Sequence, residues 1–268
     1  MTGPMPWHKA PFVAFDLETT GVDTETDRIV TAAVIDLAGE KRLTLEWLAD
    51  PGIEIPQGAS DIHGITTEHA RENGDPAHDV VDQVTESLAL RVRLGAPIVG
   101  HNVPFDLTML DRECRRHNLQ RLQDRLDGAP LHVIDTRVLD QHCLPYRKRV
   151  SETQGPRQLI TLAQVYSLPW DETQAHGCSY DALMAARIAH RIGTLAHTPK
   201  LQWPQSIRFN RRPRFHELGG LDLAQLHALQ IKLAPEQAAE LQEHFRKTDP
   251  EVVVDGSWPL RPREDTHA

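Results

Sequence analysis

The chain has 268 residues, 40% of them hydrophobic, enough apolar material to bury a full core for one medium domain plus an appendage. Its net charge of −9, from 29 Lys and Arg against 38 Asp and Glu, argues against strong non-specific duplex binding through a broad basic face. Three cysteines without C-x-x-C spacing, Cys114, Cys143 and Cys178, read as reduced thiols and not as a disulfide framework or zinc site; with no apolar run long enough for a signal peptide or membrane span, a soluble cytoplasmic protein is expected.

In chain order, Phe12-Val13-Ala14-Phe15 is an apolar run entering Asp16-Leu17-Glu18 and then Thr19-Thr20-Gly21, the pattern of a buried strand running into a loop. Side chains two apart on a strand share a face, so Asp16 and Glu18 form a paired-carboxylate platform while Leu17 points into the opposite layer. Residues 28–37 and 41–48 around Ala38-Gly39-Glu40 predict a hairpin. His63, before Gly64, is either a turn residue or a group near the substrate.

Pro97-Ile98-Val99-Gly100 reads as a strand ending at His101-Asn102, and from Pro104 the pattern turns helical, with Asp106 near the helix start. That places Asp106 just beyond a strand's carboxyl end, where open α/β sheets put ligands. Residues 131–134 predict another buried strand, with Asp135 capping the next helix. Leu159 to Tyr166 predicts a short helix, and the recurrence of Tyr180, Met184, Ile188 and Ile192 predicts a helix starting near Ser179 with Asp181 in its first turn. His176 then lies on the loop in front of that helix, free to swing as a base. From Thr194 to Pro213, Pro199, Pro204 and Pro213 interrupt the pattern and predict a linker; a helix is expected to start at Pro235 and end at Asp249-Pro250.

The chemistry concentrates in Asp16-Leu17-Glu18, in His101-Asn102 leading to Phe105-Asp106, and in His176 followed by Asp181. Four carboxylates and one imidazole are what two-metal phosphodiester hydrolysis needs: oxygen ligands to hold two divalent ions about 3.5–4 Å apart, and a base to deprotonate water. His101 is better suited to orienting neighbours than to ligation, because hard ions prefer oxygen.

On these motifs the chain, over roughly residues 10–195, resembles the DEDD-type 3′→5′ exonucleases, in the histidine-bearing subgroup that includes the proofreading epsilon subunit of bacterial DNA polymerase III. The tyrosine-bearing subgroup places Tyr four residues before the last Asp, where this chain has Gly177. The resemblance implies an α/β ribonuclease-H-like mixed sheet flanked by helices over 10–195; it does not extend further, and the pattern itself predicts a linker over 196–215 and a small, mainly helical C-terminal extension over 216–268. The resemblance also implies two Mg²⁺ ions, replaceable by Mn²⁺, with Asp16 bridging both, Glu18 and Asp181 completing the inner site, Asp106 helping hold the outer ion and His176 as general base. Thr19, Asn102 and Phe105 are then substrate-binding positions, the backbone around Thr19 meeting the terminal sugar.

Tyr146, beside Arg147-Lys148-Arg149, is the best strand-guiding contact, since stacking plus phosphate pairing is how single strands are held. An aromatic content of only 5% suits a short grip. The expected substrate is a single-stranded or frayed DNA 3′ end. RNA stays open, because the same five residues serve exoribonucleases such as oligoribonuclease and ribonuclease T; a non-catalytic nucleic-acid scaffold is the rival of another class, and the intact set of five residues opposes it. Gln205-Ser206-Ile207-Arg208-Phe209 resembles the peptides by which bacterial replication proteins dock onto the sliding clamp, an extended segment whose apolar side chains enter a groove. Clamp and polymerase are therefore further partners to test.

Overall fold

The two faces of the first strand divide the core. A computed structural model describes residues 5–39 and 41–263, and in it β1 (Phe12–Thr19) is the first of six strands, followed by β2 (Ile29–Ala38), β3 (Lys41–Asp50), β4 (Asp75–Pro76), β5 (Ile98–Gly100) and β6 (Val133–Asp135). Phe12 and Ala14 pack into one apolar cluster, and Val13, Phe15 and Leu17 into another on the opposite side of the sheet. Alternation of this kind follows from the two-residue repeat of a strand. It leaves Asp16 and Glu18 on the face of Ala14.

The strands form one mixed sheet in the order β4-β3-β2-β1-β5-β6. β1, β2 and β3 are antiparallel neighbours, whereas β5 and β6 run parallel to β1. The hairpin predicted over 28–48 is β2 and β3; Glu40 in its turn lies outside the described residues. Parallel strands end at the same edge of the sheet, so Glu18, His101 and Asp135 come to one rim. Close approach there depends on Gly100, where a Cβ would stand 3.0 Å from the Phe15 carbonyl oxygen and 2.9 Å from Val103 Cγ2.

The helices are α1 (Gln57–His63), α2 (Thr67–Asn73), α3 (Ala77–Arg93), α4 (Val103–Arg116), α5 (Thr136–Cys143), α6 (Leu159–Val165), α7 (Cys178–Ala196), α8 (Gln205–Arg208) and α9 (Leu223–Phe245). α3 and α4 cover the Val13, Phe15 and Leu17 face; α5, α6 and α7 cover the other. α7 lies on β1 and β2 through Ala182, Ala185 and Ala189, all fully buried, and such small side chains let a helix approach a sheet closely.

Two expectations need correction. The segment read as an extended linker is packed: Trp203, Ile207 and Phe215 are buried in the cluster that holds α6 and α7, and Trp203 Nε1 donates to the Leu195 carbonyl at 2.9 Å. Pro199 and Pro204 do not keep the chain extended but precede a 3₁₀ turn and α8, a position where the missing N–H costs nothing. Second, the last helix starts at Leu223 and runs through Pro235. Contacts on both sides outweigh the proline's lost hydrogen bond: His227 Nδ1 accepts from the Val133 amide at 3.1 Å, Gln230 exchanges bonds of 2.9 Å and 2.8 Å with the Val133 carbonyl and Asp135 amide, and Gln237 Nε2 donates to the Val138 carbonyl at 3.0 Å. α9 thereby covers the otherwise open edge of β6, which removes an aggregation-prone strand edge.

Candidate active site

β1 supplies two acids at the rim. The antiparallel pairing with β2 holds Asp16 opposite Ala33 and Glu18 opposite Thr31, and a register shift between Glu18 and Thr19 ends the ladder there. A bulge at a strand end re-aims side chains next to a site. The third acid, Asp181, enters from the first turn of α7. One carboxylate oxygen from each of Asp16, Glu18 and Asp181 lies within 4.8 Å of the others.

Asp106 reaches the same strand from the other layer. It is buried in the first turn of α4, and its Oδ1 accepts from the Leu17 amide at 3.2 Å. It is not one of the three carboxylates that converge within 4.8 Å, although its charge acts on Asp16 and Glu18. Burial raises the pKa of Asp106 well above the carboxylate range, against the pull of its own amide and that of Leu17. Burial, then the charges of Asp106, Glu18 and Asp181, push Asp16 well up; burial with Asp181 and Asp106 pushes Glu18 up to about 8; burial raises Asp181 to about 6, with His176 acting in the opposite sense.

No Lys or Arg pairs with Asp16, Glu18 or Asp181 among the described residues, and Asp181 Oδ1 is buried without a hydrogen-bond partner. A half-buried cluster of carboxylates without a basic partner, one of its oxygens orphaned, is unfavourable by itself and favourable around a cation. Its donors are all carboxylate oxygens, the set that suits a hard divalent ion. The residues fit such an ion.

His176 sits on an exposed turn with φ +63°, in the left-handed region, and lines a cleft together with Asp181. Asn102, also left-handed at φ +67°, lines the same cleft; its backbone amide donates to Asp135 Oδ1 at 3.1 Å and its Oδ1 accepts from Arg137 at 2.7 Å. Asp135 caps α5 as expected, and also takes the Val103 amide at 3.1 Å, so one buried carboxylate fixes both the start of α5 and the turn that presents α4. His101 orients its surroundings, with Nδ1 2.9 Å from Thr136 Oγ1 and Nε2 2.8 Å from the Arg157 carbonyl. Thr19 uses its hydroxyl on the Gly21 carbonyl at 2.6 Å. His63 Nδ1 accepts from the Ile65 amide at 3.2 Å; burial pushes its pKa down, and the Thr19 backbone partly offsets that, which places His63 beside the loop after β1.

Two further residues expected to contact substrate have partners of their own within the fold. Phe105 packs half-buried against the Leu17 and Leu107 cluster. Tyr146 is absent from the cleft lining, and the Arg211 guanidinium covers its ring at 4.4 Å. Arg147, expected beside it as a phosphate contact, is committed to buried Asp140 at 2.7 Å. The clamp-like peptide is also not extended: it forms α8, with Ile207 buried and Phe209 75% exposed. An Ile207 already enclosed by the protein's own core is not available to a partner's groove.

The cleft, about 1110 Å³, has a second wall that sequence reasoning missed. Arg137 and Arg149 line it together with Glu240, Leu241, His244 and Phe245 of α9. These α9 residues fall within the helix expected from Pro235, to which the sequence assigned no chemistry. The signal available in the sequence was the adjacent pair of rings, His244-Phe245, in a chain poor in aromatics.

A mixed sheet with the order seen here, flanked by helices and carrying a converging acidic cluster at the rim, defines the ribonuclease-H-like nuclease class. The exonuclease family RNase_T matches residues 13–189, and the chain belongs to this family of DnaQ-like 3′→5′ exonucleases. It is 28% identical over 162 residues to the PolC-type DNA polymerase III of Lacticaseibacillus paracasei, covering 59% of this chain and 10% of that one, and 37% identical over 112 residues to a DNA polymerase III subunit epsilon-like protein of Rhodobacter capsulatus, covering 40% and 15%. The chain thus spans a small part of the length of these two relatives. Ribonuclease T of Hahella chejuensis is 26% identical over 188 residues, covering 66% of this chain and 80% of that protein. Among solved structures, E. coli exonuclease I in complex with a dT13 oligonucleotide superposes with a TM-score of 0.56 at 19% identity, over 72% of this chain and 45% of that one, a likeness of fold.

Proposed function

We propose that the protein is a divalent-metal-dependent 3′→5′ exonuclease that removes nucleoside monophosphates from single-stranded or frayed DNA 3′ ends. The observation that carries this reading is the convergence of Asp16, Glu18 and Asp181 within 4.8 Å, with an orphaned buried oxygen on Asp181 and no cation of the protein's own. Asp16, Glu18 and Asp181 would hold one Mg²⁺ and Asp106 would help hold a second, with Mn²⁺ as a substitute. When bound, such ions lower the pKa of water and stabilise the charge developing on phosphate and leaving oxygen.

The chain's own residues supply the rest. His176, exposed at the mouth of the cleft, takes the proton of the attacking water, and its turn leaves it free to approach. Asp106 keeps its carboxylate in place through the Leu17 amide, so the β1 backbone positions the fourth acid. Asn102 is locked by Asp135 and Arg137 at the cleft wall, where it meets the strand end.

Digestion of 5′-labelled oligonucleotides tests the reading. We expect a ladder shortened one nucleotide at a time from the 3′ end, abolished by EDTA and slowed by a 3′-phosphate. Equal rates on blocked and free 3′ ends would point to an endonuclease or a 5′ enzyme. An exoribonuclease is the second reading, favoured by the ribonuclease T relative, which aligns over 80% of its length. Parallel DNA and RNA substrates separate the two, because only the 2′-hydroxyl differs.

A further inference from the structure

The α9 wall of the cleft has no part in the chemistry just described. It belongs to the same cavity as His176 and Asp181, and at about 1110 Å³ that cavity exceeds the roughly 300–1,000 Å³ of small-molecule pockets, so it has room for more than a terminal nucleotide. Phe245 leaves 41% of its surface open there, with the His244 ring 5.9 Å away at an interplanar angle of 51°. The fold does not need these rings exposed. α9 is anchored by His227, Gln230 and Gln237 in its earlier turns, which also makes the wall rigid.

The arginines that line the cleft divide into two kinds. Arg147 and Arg157 are consumed by Asp140. Arg137 and Arg149 have no carboxylate partner among the described residues: Arg137 reaches only Asn102 Oδ1, and Arg149 only the carbonyls of Ser151 and Glu152. Two guanidinium groups without a carboxylate partner lining the same cleft as two open rings supply both things that hold a single strand, cations for phosphates and platforms for bases. A broad basic surface is not required for a grip this local.

We propose that His244 and Phe245 form a stacking subsite for a base of single-stranded DNA upstream of the terminal nucleotide, with Arg137 and Arg149 pairing its phosphates. The position of the strand end rests on the exonuclease reading, but the grip itself does not require cleavage.

Fluorescence anisotropy of labelled dT10, measured in EDTA with the full chain, tests it. The double variant His244→Ala/Phe245→Ala is expected to bind about ten-fold more weakly, within the range for lost base stacking. Arg149→Ala is expected to lower the slope of log K against log salt by about 0.7, one phosphate contact. Phe209→Ala, removing an exposed ring outside the cleft, is expected to change nothing, and circular dichroism checks that each variant folds. A double variant within two-fold of wild type, a wild type that binds dT2 as well as dT10, or one that binds no strand at all overturns the subsite; tighter binding of rU10 than dT10 overturns its assignment to DNA. Failure of the exonuclease reading looks different: a wild type that binds dT10 in a His244- and Phe245-dependent way yet never cleaves keeps the subsite and removes the activity.

Discussion

A single buried acid and a half-buried trio lie on the same face of the sheet and are treated in opposite ways. Asp140, on α5, is fully buried and fully partnered: Arg147 at 2.7 Å, Arg157, and the Tyr166 hydroxyl at 2.9 Å. Asp16, Glu18 and Asp181 face one another with no cation, and their pKa values rise. The first is a clasp that holds the 145–157 loop against α5. In the second, burial first and neighbouring charge second disfavour ionisation, which an incoming cation reverses. Burial alone therefore does not mark a functional acid; an unbalanced charge does.

Substitution separates the two groups most sharply. Asp16→Ala or Asp181→Ala should abolish cleavage and leave the melting temperature unchanged or higher, since each removes a repelling charge. Asp140→Ala should instead cost about 3–5 kcal/mol, because Arg147 and Arg157 are left buried and unpaired. Cleavage within a few-fold of wild type in the first pair, or an unaltered melting curve in the second, would break the distinction. His176→Ala should lower turnover by about 10²–10⁴, the range for a lost general base, and a pH–rate profile identical to wild type from pH 6 to 9 would count against that role.

A smaller effect follows from the raised carboxylates. Glu18 titrates near 8 in the fold and near its ordinary value of about 4.3 when unfolded, so between those values the folded state holds a proton the unfolded state has lost. Stability of the metal-free protein must then fall as pH rises through that window. Melting in EDTA should drop from pH 5 to 8, Glu18→Gln should flatten the drop, and Mg²⁺ should reverse it. A metal-free melting temperature that rises over the same range contradicts the electrostatics. Smaller again, Gln230→Leu should cost about 1–3 kcal/mol by leaving the Val133 carbonyl and Asp135 amide unpaired on the β6 edge, measurable by urea unfolding.

The acidic site was legible in the sequence because it is built from short local patterns. A strand puts Asp16 and Glu18 on one face whatever surrounds it, and a helix start fixes Asp106 and Asp181 near its first turn. The cleft was less legible, because its α9 wall, Glu240 to Phe245, comes from far beyond the end of α7 at Ala196 and meets the site through bonds to β6 and α5. The surroundings of Tyr146 were hidden for the same reason: Asp140 and Arg211, neither adjacent to it in the chain, pair with Arg147 and cover the ring respectively. Pro235 was read as a start because proline disfavours helix interiors, and only the tertiary anchors at Gln230 and Gln237 explain why the helix passes through it.

The claim that the Asp16, Glu18 and Asp181 cluster is an unbalanced charge kept for divalent ions is tested most directly by titrating Mn²⁺ into the metal-free protein under electron paramagnetic resonance, alongside Asp16→Asn and Asp140→Asn. The account predicts saturable Mn²⁺ binding in wild type, displaced by Mg²⁺, lost in Asp16→Asn and retained in folded Asp140→Asn. Binding that survives in Asp16→Asn, or a wild type that binds no Mn²⁺, would contradict it.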